Sequence, residues 1–143
     1  MKALANESKS SCENTKPLYG KFALIVDDEE LIRKLLAREL KKFGCITLEA
    51  SNAKEAVEVF GKQALDIVVS DVQMPGGDGM ELLLKIAPES KSRGIAILMM
   101  SGSCECTDAQ IKSYGGLGLI EKPFVMKALC QRLIQHFSSI KLK

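Results

Sequence analysis

From Phe22 onward the chain alternates between two hydrophobic periods. Phe22-Ala23-Leu24-Ile25-Val26 is an unbroken apolar run, the pattern of a strand buried on both faces. Ile32, Leu35, Leu36, Leu40 and Phe43 then recur at helical spacing until Gly44 stops the helix. Residues 45–50 read as a second strand. Asn52-x-x-Glu55 resembles a capping box, and Ala53, Ala56, Val57 and Phe60 follow on one helical face. A third strand is predicted over 65–70, then a loop from Pro75 to Gly79, then a helix over 80–87 limited by Pro88. A fourth strand covers 95–100, a weak fourth helix 107–114 and a short fifth strand 118–121. Met126, Leu129, Cys130, Leu133, Ile134 and Phe137 mark the last helix.

Five strands alternating with five helices imply parallel βαβ units. Right-handed crossovers place helices on both faces of one twisted sheet. Periodicity does not give the strand order. It does locate the site, at the C-terminal edge of the strands near the switch point.

Around this body, residues 1–20 are polar and aperiodic and predict a flexible tail, ordered, if anywhere, near Leu18 and Tyr19. The domain is expected over 21–139, with a short basic tail over 140–143. The longest apolar run is far shorter than the ~20 residues of a spanning helix, and the N-terminus has no secretory core. A cytoplasmic location without membrane insertion follows as the expectation. Net charge is +2, but residues 1–21 hold four Lys against two Glu, and Lys141 and Lys143 are also basic. The body between them is mildly acidic, which argues against a nucleic-acid partner. Five cysteines without a secretory signal predict reduced thiols, and Cys104-x-Cys106 has too few ligands for zinc.

The chemistry gathers where strands end. Asp27 and Asp28 follow strand one, Asp71 strand three, Ser101 strand four and Lys122 strand five, directly before Pro123. In a parallel sheet these ends share one edge. Packed carboxylates repel unless a cation joins them. Oxygen ligands with room for water suit Mg²⁺. A carboxylate can also act as the nucleophile that forms an acyl phosphate. Taken singly, each residue has a bland reading: Asp28 could cap the next helix, and Lys122 could be a surface lysine.

The stretches LIVDDEE (24–30), IVVSDVQMPGGDGMELL (67–83), ILMMSGS (97–103) and IEKPF (120–124) resemble the receiver domain of bacterial two-component response regulators. The resemblance implies a flavodoxin-like doubly wound sheet of order 2-1-3-4-5. It implies Asp71 as phospho-acceptor, and Asp27, Asp28 and the backbone carbonyl of Gln73 around Mg²⁺. It implies Ser101 as the switch hydroxyl, Lys122 as the partner of the phosphoryl oxygens, and a cis bond before Pro123. Pro75 and Gly79 match the loop after the acceptor. The implied donor is a sensor histidine kinase or a histidine phosphotransfer protein, because His136, the only histidine, reads as a solvated residue near a helix end. The implied output is a downstream protein contacted by the 102–119 face, from a signalling switch rather than an enzyme in the ordinary sense. One departure stands out: Leu119 occupies the position where the family usually has Tyr or Phe. Two other readings of the same residues are an aspartyl-phosphate phosphohydrolase of the haloacid dehalogenase class and a degenerate receiver serving as an interaction module.

Overall fold

The computed structural model describes residues 16–74, 79–102 and 106–141. Most of the expected tail (1–15), Pro75 and the rest of 75–78, Cys104, and residues 142–143 lie outside the described residues.

The elements run β1 (Phe22–Val26), α1 (Glu30–Lys42), β2 (Ile46–Ala50), α2 (Ala53–Lys62), β3 (Ile67–Asp71), α3 (Gly79–Arg93), β4 (Ala96–Ser101), α4 (Asp108–Ser113), β5 (Gly118–Glu121) and α5 (Met126–Lys141). All strand pairs are parallel, in the order β2-β1-β3-β4-β5. The architecture is the doubly wound sheet that the alternating periods predict.

Alternation along the strands divides the core in two. Leu24, Val26, Val68, Ile97 and Met99 face one way, packing with Ala56 and Phe60 of α2 and Leu82, Leu83 and Ile86 of α3. Ala23, Ile25, Ile67, Val69, Leu98 and Met100 face the other, with Leu36 and Leu40 of α1 and Leu129, Cys130 and Leu133 of α5. Each fully buried large side chain contributes ~1.5–3 kcal/mol relative to exposure. Met99 and Met100 are thus packing residues, both fully buried. Cys45 and Cys130 are buried too, and burial raises their thiols to about 11 and about 12. Such thiols stay protonated and unreactive near neutral pH.

One difference from the sequence expectations, in α3, has a local cause, and order near Leu18 and an extended last helix accompany it. The third helix does not stop at Pro88 but continues to Arg93. Pro88 sits on the exposed face, so the carbonyl one turn earlier, on exposed Leu84, can be met by water. Beyond the proline, buried Ser90 donates to the Ile86 carbonyl at 2.7 Å and holds the last turn. Leu18, ahead of residue 21, is fully buried on the α1/α5 side, and its N–H donates to the Phe43 carbonyl at 2.9 Å. α5 runs past residue 139, to Lys141.

The short helix α4 is better anchored than its few apolar residues suggest. Thr107 and Gln110 form a reciprocal capping box. Asp108 Oδ1 accepts from the Leu119 N–H at 2.7 Å and from Arg132 at 3.2 Å, while Arg132 also donates to the Leu119 carbonyl at 2.7 Å. α4, β5 and α5 are therefore tied through one residue of the edge strand. Gly118 is required there. Its φ is +154°, and a Cβ would run into Arg132 and Asp108.

The Leu119 N–H is the main reason the Asp108 carboxyl is held down to about 2; burial opposes it, and Lys112 and Arg132 lower it further. A depressed folded-state pKa contributes stability above the unfolded value of ~3.9, and that contribution disappears as pH falls toward 2. Asp108→Asn keeps an acceptor for Leu119 but loses the charge. Its urea midpoint should lie below wild type at pH 7, and the gap should close between about pH 4 and 2. A gap that is constant with pH would show that the carboxylate charge contributes nothing.

Candidate functional site

Asp27 ends β1 because the apolar run ends at Val26, and it is fully buried. Its N–H donates to the Ala50 carbonyl at 3.2 Å, extending the β1–β2 ladder by one residue. Its Oδ1 accepts from the Glu29 N–H at 2.9 Å. Asp28 beside it is exposed. It does not cap α1: Glu29 is the cap residue, with no side-chain cap bond. Asp28 instead faces the acidic cluster. One carboxylate oxygen from each of Asp27, Asp28 and Asp71 falls within 4.8 Å of the others, and no other such group occurs among the described residues.

Asp71 is the last residue of β3 and is almost fully buried. Its Oδ1 accepts from the Gln73 N–H at 3.2 Å, and its Oδ2 from Lys122 Nζ at 2.9 Å. Lys122 follows β5, where its N–H donates to the Ser101 carbonyl at 2.8 Å. A cis bond to Pro123 comes next. Ser101, buried at the end of β4, is thereby fixed next to the lysine backbone. Leu119 lies two residues inside the same strand end and packs into the α2/α3 side of the core.

The electrostatics are those of crowded anions with one cation. Burial raises the Asp27 carboxyl above its usual range. The Glu29 N–H and the Lys122 charge oppose this, while Asp71 and Asp28 add to it. Burial works against the Lys122 charge, but the Asp71 hydrogen bond and the attraction of Asp71, Asp27 and Glu29 prevail and raise its pKa. Asp27 Oδ2 is buried without a hydrogen-bond partner, the one such side-chain atom among the described residues. Lys122 Nζ stands 3.7 Å from it, close enough for attraction but not for a hydrogen bond. A buried anionic oxygen left without a donor, beside two further carboxylates, fits a hard divalent cation.

The five residues that sequence reasoning put at the strand ends, Asp27, Asp28, Asp71, Ser101 and Lys122, are brought to one edge of the sheet. Gln73 is adjacent through its N–H. His136 lies on α5, edge-to-face with Phe137, and burial and Lys21 lower its pKa. Arg33 and Glu49 were missed. Arg33 Nη1 donates to the Asp27 carbonyl at 2.8 Å, and Nε to Glu49 at 3.2 Å. The only trace in the sequence was an arginine one turn after the acidic run, at a position that reads equally well as solvated.

If Lys122 opposes a cation in the cluster while gripping Asp71, replacing it should separate those effects. Lys122→Ala should bind Mg²⁺ at least as tightly as wild type, because a positive charge 2.9 Å from Asp71 Oδ2 is gone. It should respond poorly to beryllofluoride, having lost its fixed contact to a phosphoryl-like group. Metal titration and analogue titration, done separately, check this; equal analogue responses in the two proteins would refute it.

Comparison with known proteins gives one family. The model for the response regulator receiver domain matches residues 23–134. The phosphate regulon transcriptional regulatory protein PhoB of Pseudomonas aeruginosa is 34% identical over 118 residues, covering 81% of this chain and 51% of that protein. The chain thus spans about half the length of that relative. The chemotaxis response regulator CheY4 of Vibrio cholerae superposes with a TM-score of 0.72 at 28% identity, over 81% of this chain and 98% of that one. TrrA of Thermotoga maritima, solved with Mg²⁺ and BeF, gives 0.71 at 28% identity over the same shares.

Proposed function

The chain belongs to the response regulator receiver domain family, and from that premise we propose that it accepts a phosphoryl group on Asp71, with Mg²⁺ bound at Asp27, Asp28, Asp71 and the Gln73 carbonyl. The observation that carries the assignment is the meeting of the acidic cluster and the cation on one side chain: Asp71 belongs to the carboxylate group and holds Lys122 Nζ at 2.9 Å.

Receiver domains work with histidine kinases, and the donor proposed here is a phosphohistidine on a sensor kinase or phosphotransfer protein in the cytoplasm. A carboxylate oxygen of Asp71 attacks phosphorus, the P–N bond breaks, and the imidazole leaves with the electron pair. Lys122 neutralises charge on the phosphoryl oxygens, and the Asp27 and Asp28 carboxylates hold the cation. When bound, Mg²⁺ supplies charge neutralisation and a template for in-line transfer. Catalysis of this kind is positioning and electrostatics rather than side-chain acid–base chemistry.

The switch on this reading is local. The Ser101 hydroxyl moves onto the phosphoryl group, beside the cis Lys122–Pro123 bond. The segment 102–119 carries the change outward to a downstream protein. Leu119 offers no ring, so the readout runs through the backbone ties of Leu119 to Asp108 and Arg132 rather than through an aromatic side chain.

The deciding experiment is incubation with acetyl phosphate and Mg²⁺, followed by intact-mass measurement. A covalent phosphate that accumulates only with Mg²⁺ supports a receiver. Consumption of acetyl phosphate without accumulation indicates a phosphohydrolase. No label and no turnover indicates an interaction module, and either of the last two outcomes overturns the proposal.

A further inference from the structure

We infer that Arg33 is a positioning residue for the acidic site, fixing Asp27 through its main chain so that one carboxylate oxygen is left for the cation. The inference rests on the reading of Asp27 as a Mg²⁺ ligand.

Consider what holds Asp27. Its N–H is taken by the Ala50 carbonyl and its Oδ1 by the Glu29 N–H. Its carbonyl oxygen is taken by Arg33 Nη1 at 2.8 Å. Three of its four polar groups are therefore spoken for, and the remaining one, Oδ2, is the buried atom without a donor. Arg33 is itself anchored. Its Nε donates to Glu49 Oε1 at 3.2 Å, and Glu49 Oε2 holds Lys34 at 3.1 Å. Glu49 immediately precedes Ala50. The end of β2 thus grips Asp27 on both sides, directly through the Ala50 carbonyl and indirectly through Glu49 and Arg33.

The pairing also settles the charge. An arginine this close to a cation site would oppose the cation if it stood alone. Glu49, largely shielded from water, offsets it. Only the planar fork of arginine reaches both the Asp27 carbonyl and Glu49 at once; a lysine ammonium at the end of a flexible stem reaches one or the other. Groups that orient ligands from behind typically change metal affinity by about 10–100-fold when removed.

The test is titration calorimetry with MgCl₂ on wild type, Arg33→Lys, Arg33→Ala and Glu49→Gln, with thermal melts in EDTA. Positioning predicts that Arg33→Lys and Arg33→Ala both weaken Mg²⁺ binding about tenfold, although lysine keeps the charge. Glu49→Gln should also weaken it, more strongly at low salt, because the arginine charge is then unopposed. A purely electrostatic role predicts instead that Arg33→Lys matches wild type while Arg33→Ala binds more tightly. A purely structural role predicts lower melting temperatures with unchanged Mg²⁺ affinity. Either result overturns the inference. Should Arg33→Ala fail to fold, Arg33→Lys and Glu49→Gln still decide. Wild type that binds no Mg²⁺ sinks the reading of the site itself; wild type that binds it, with unchanged variants, sinks only the role of Arg33.

Discussion

Asp71→Asn should lose covalent phosphorylation completely while keeping its fold. The substitution is isosteric, and the amide oxygen can still accept the Gln73 N–H that Asp71 Oδ1 takes at 3.2 Å. Lys122 also retains Asp27, 3.7 Å away, so the cation is not stranded. What disappears is the nucleophile, since a carboxamide does not form the acyl phosphate. Asp27 and Asp28 cannot replace it. Asp27 has its Oδ1 committed to the Glu29 N–H, and no hydrogen bond ties Lys122 to it. Intact mass after acetyl phosphate and Mg²⁺ is the measurement, with far-ultraviolet circular dichroism as the check on folding. An Asn variant that labels like wild type would show that the acceptor is another residue.

The second large effect is expected from Gly79→Ala. Alanine favours helices, so a substitution in α3 would ordinarily be harmless or helpful. Gly79 is different, because a Cβ there would collide with the Asp71 carbonyl oxygen, with the Met99 methyl just beyond. Met99 can swing aside, but the Asp71 carbonyl is backbone at the end of a central strand. Gly79 also donates its N–H to the Val72 carbonyl at 2.7 Å, which pins the start of α3 to the loop leaving the site. The helix must back away, at a cost of ~1–3 kcal/mol typical of overpacking. Because the displaced atom belongs to Asp71, phosphorylation should slow as well. Gly61→Ala is the control: it lies inside α2, and a Cβ there meets nothing within 4 Å. That change should stabilise by ~0.5–1 kcal/mol. Urea midpoints of the two variants moving in opposite directions would bear out the argument; equal midpoints would sink it.

The site was largely legible because its residues are punctuation in a hydrophobic text. Apolar runs mark β1, β3 and β4; Asp27 and Ser101 are the first polar residues after the runs of β1 and β4, and Asp71 follows Ser70 at the end of β3. In a parallel sheet that rule alone gathers them. Unbroken apolar runs also marked the central strands as buried on both faces, while the division of their side chains between the two core faces appears in the structure. What stayed hidden was whatever depends on side chains reaching across elements. Arg33 and Glu49 are 16 residues apart, on a helix and an edge strand, and nothing in either segment marks them as a pair. Asp108, Leu119 and Arg132 are likewise joined only by folding. The Thr107-x-x-Gln110 box was readable in the sequence but lay under a segment poor in apolar residues. Pro88 misled for a simpler reason: on the exposed face of a helix, water can meet the freed carbonyl and the helix has room to bend around the proline ring.

The tie around Leu119 bears on how these molecules behave toward one another. β5 is the outer strand of the sheet, and Leu119 turns its N–H and C=O away from β4. An uncovered edge of this kind is a template on which another chain can crystallise its own strand, and proteins guard such edges with charge, bulges or covering groups. Here two charged side chains from flanking helices fill the template, and glycine at 118 leaves them room to do so. Protection of the sheet edge and the proposed conformational readout thus draw on the same few atoms. A variant lacking both Asp108 and Arg132 would loosen α4 and, in the same stroke, expose a sticky margin, so its first visible defect at high concentration should be self-association.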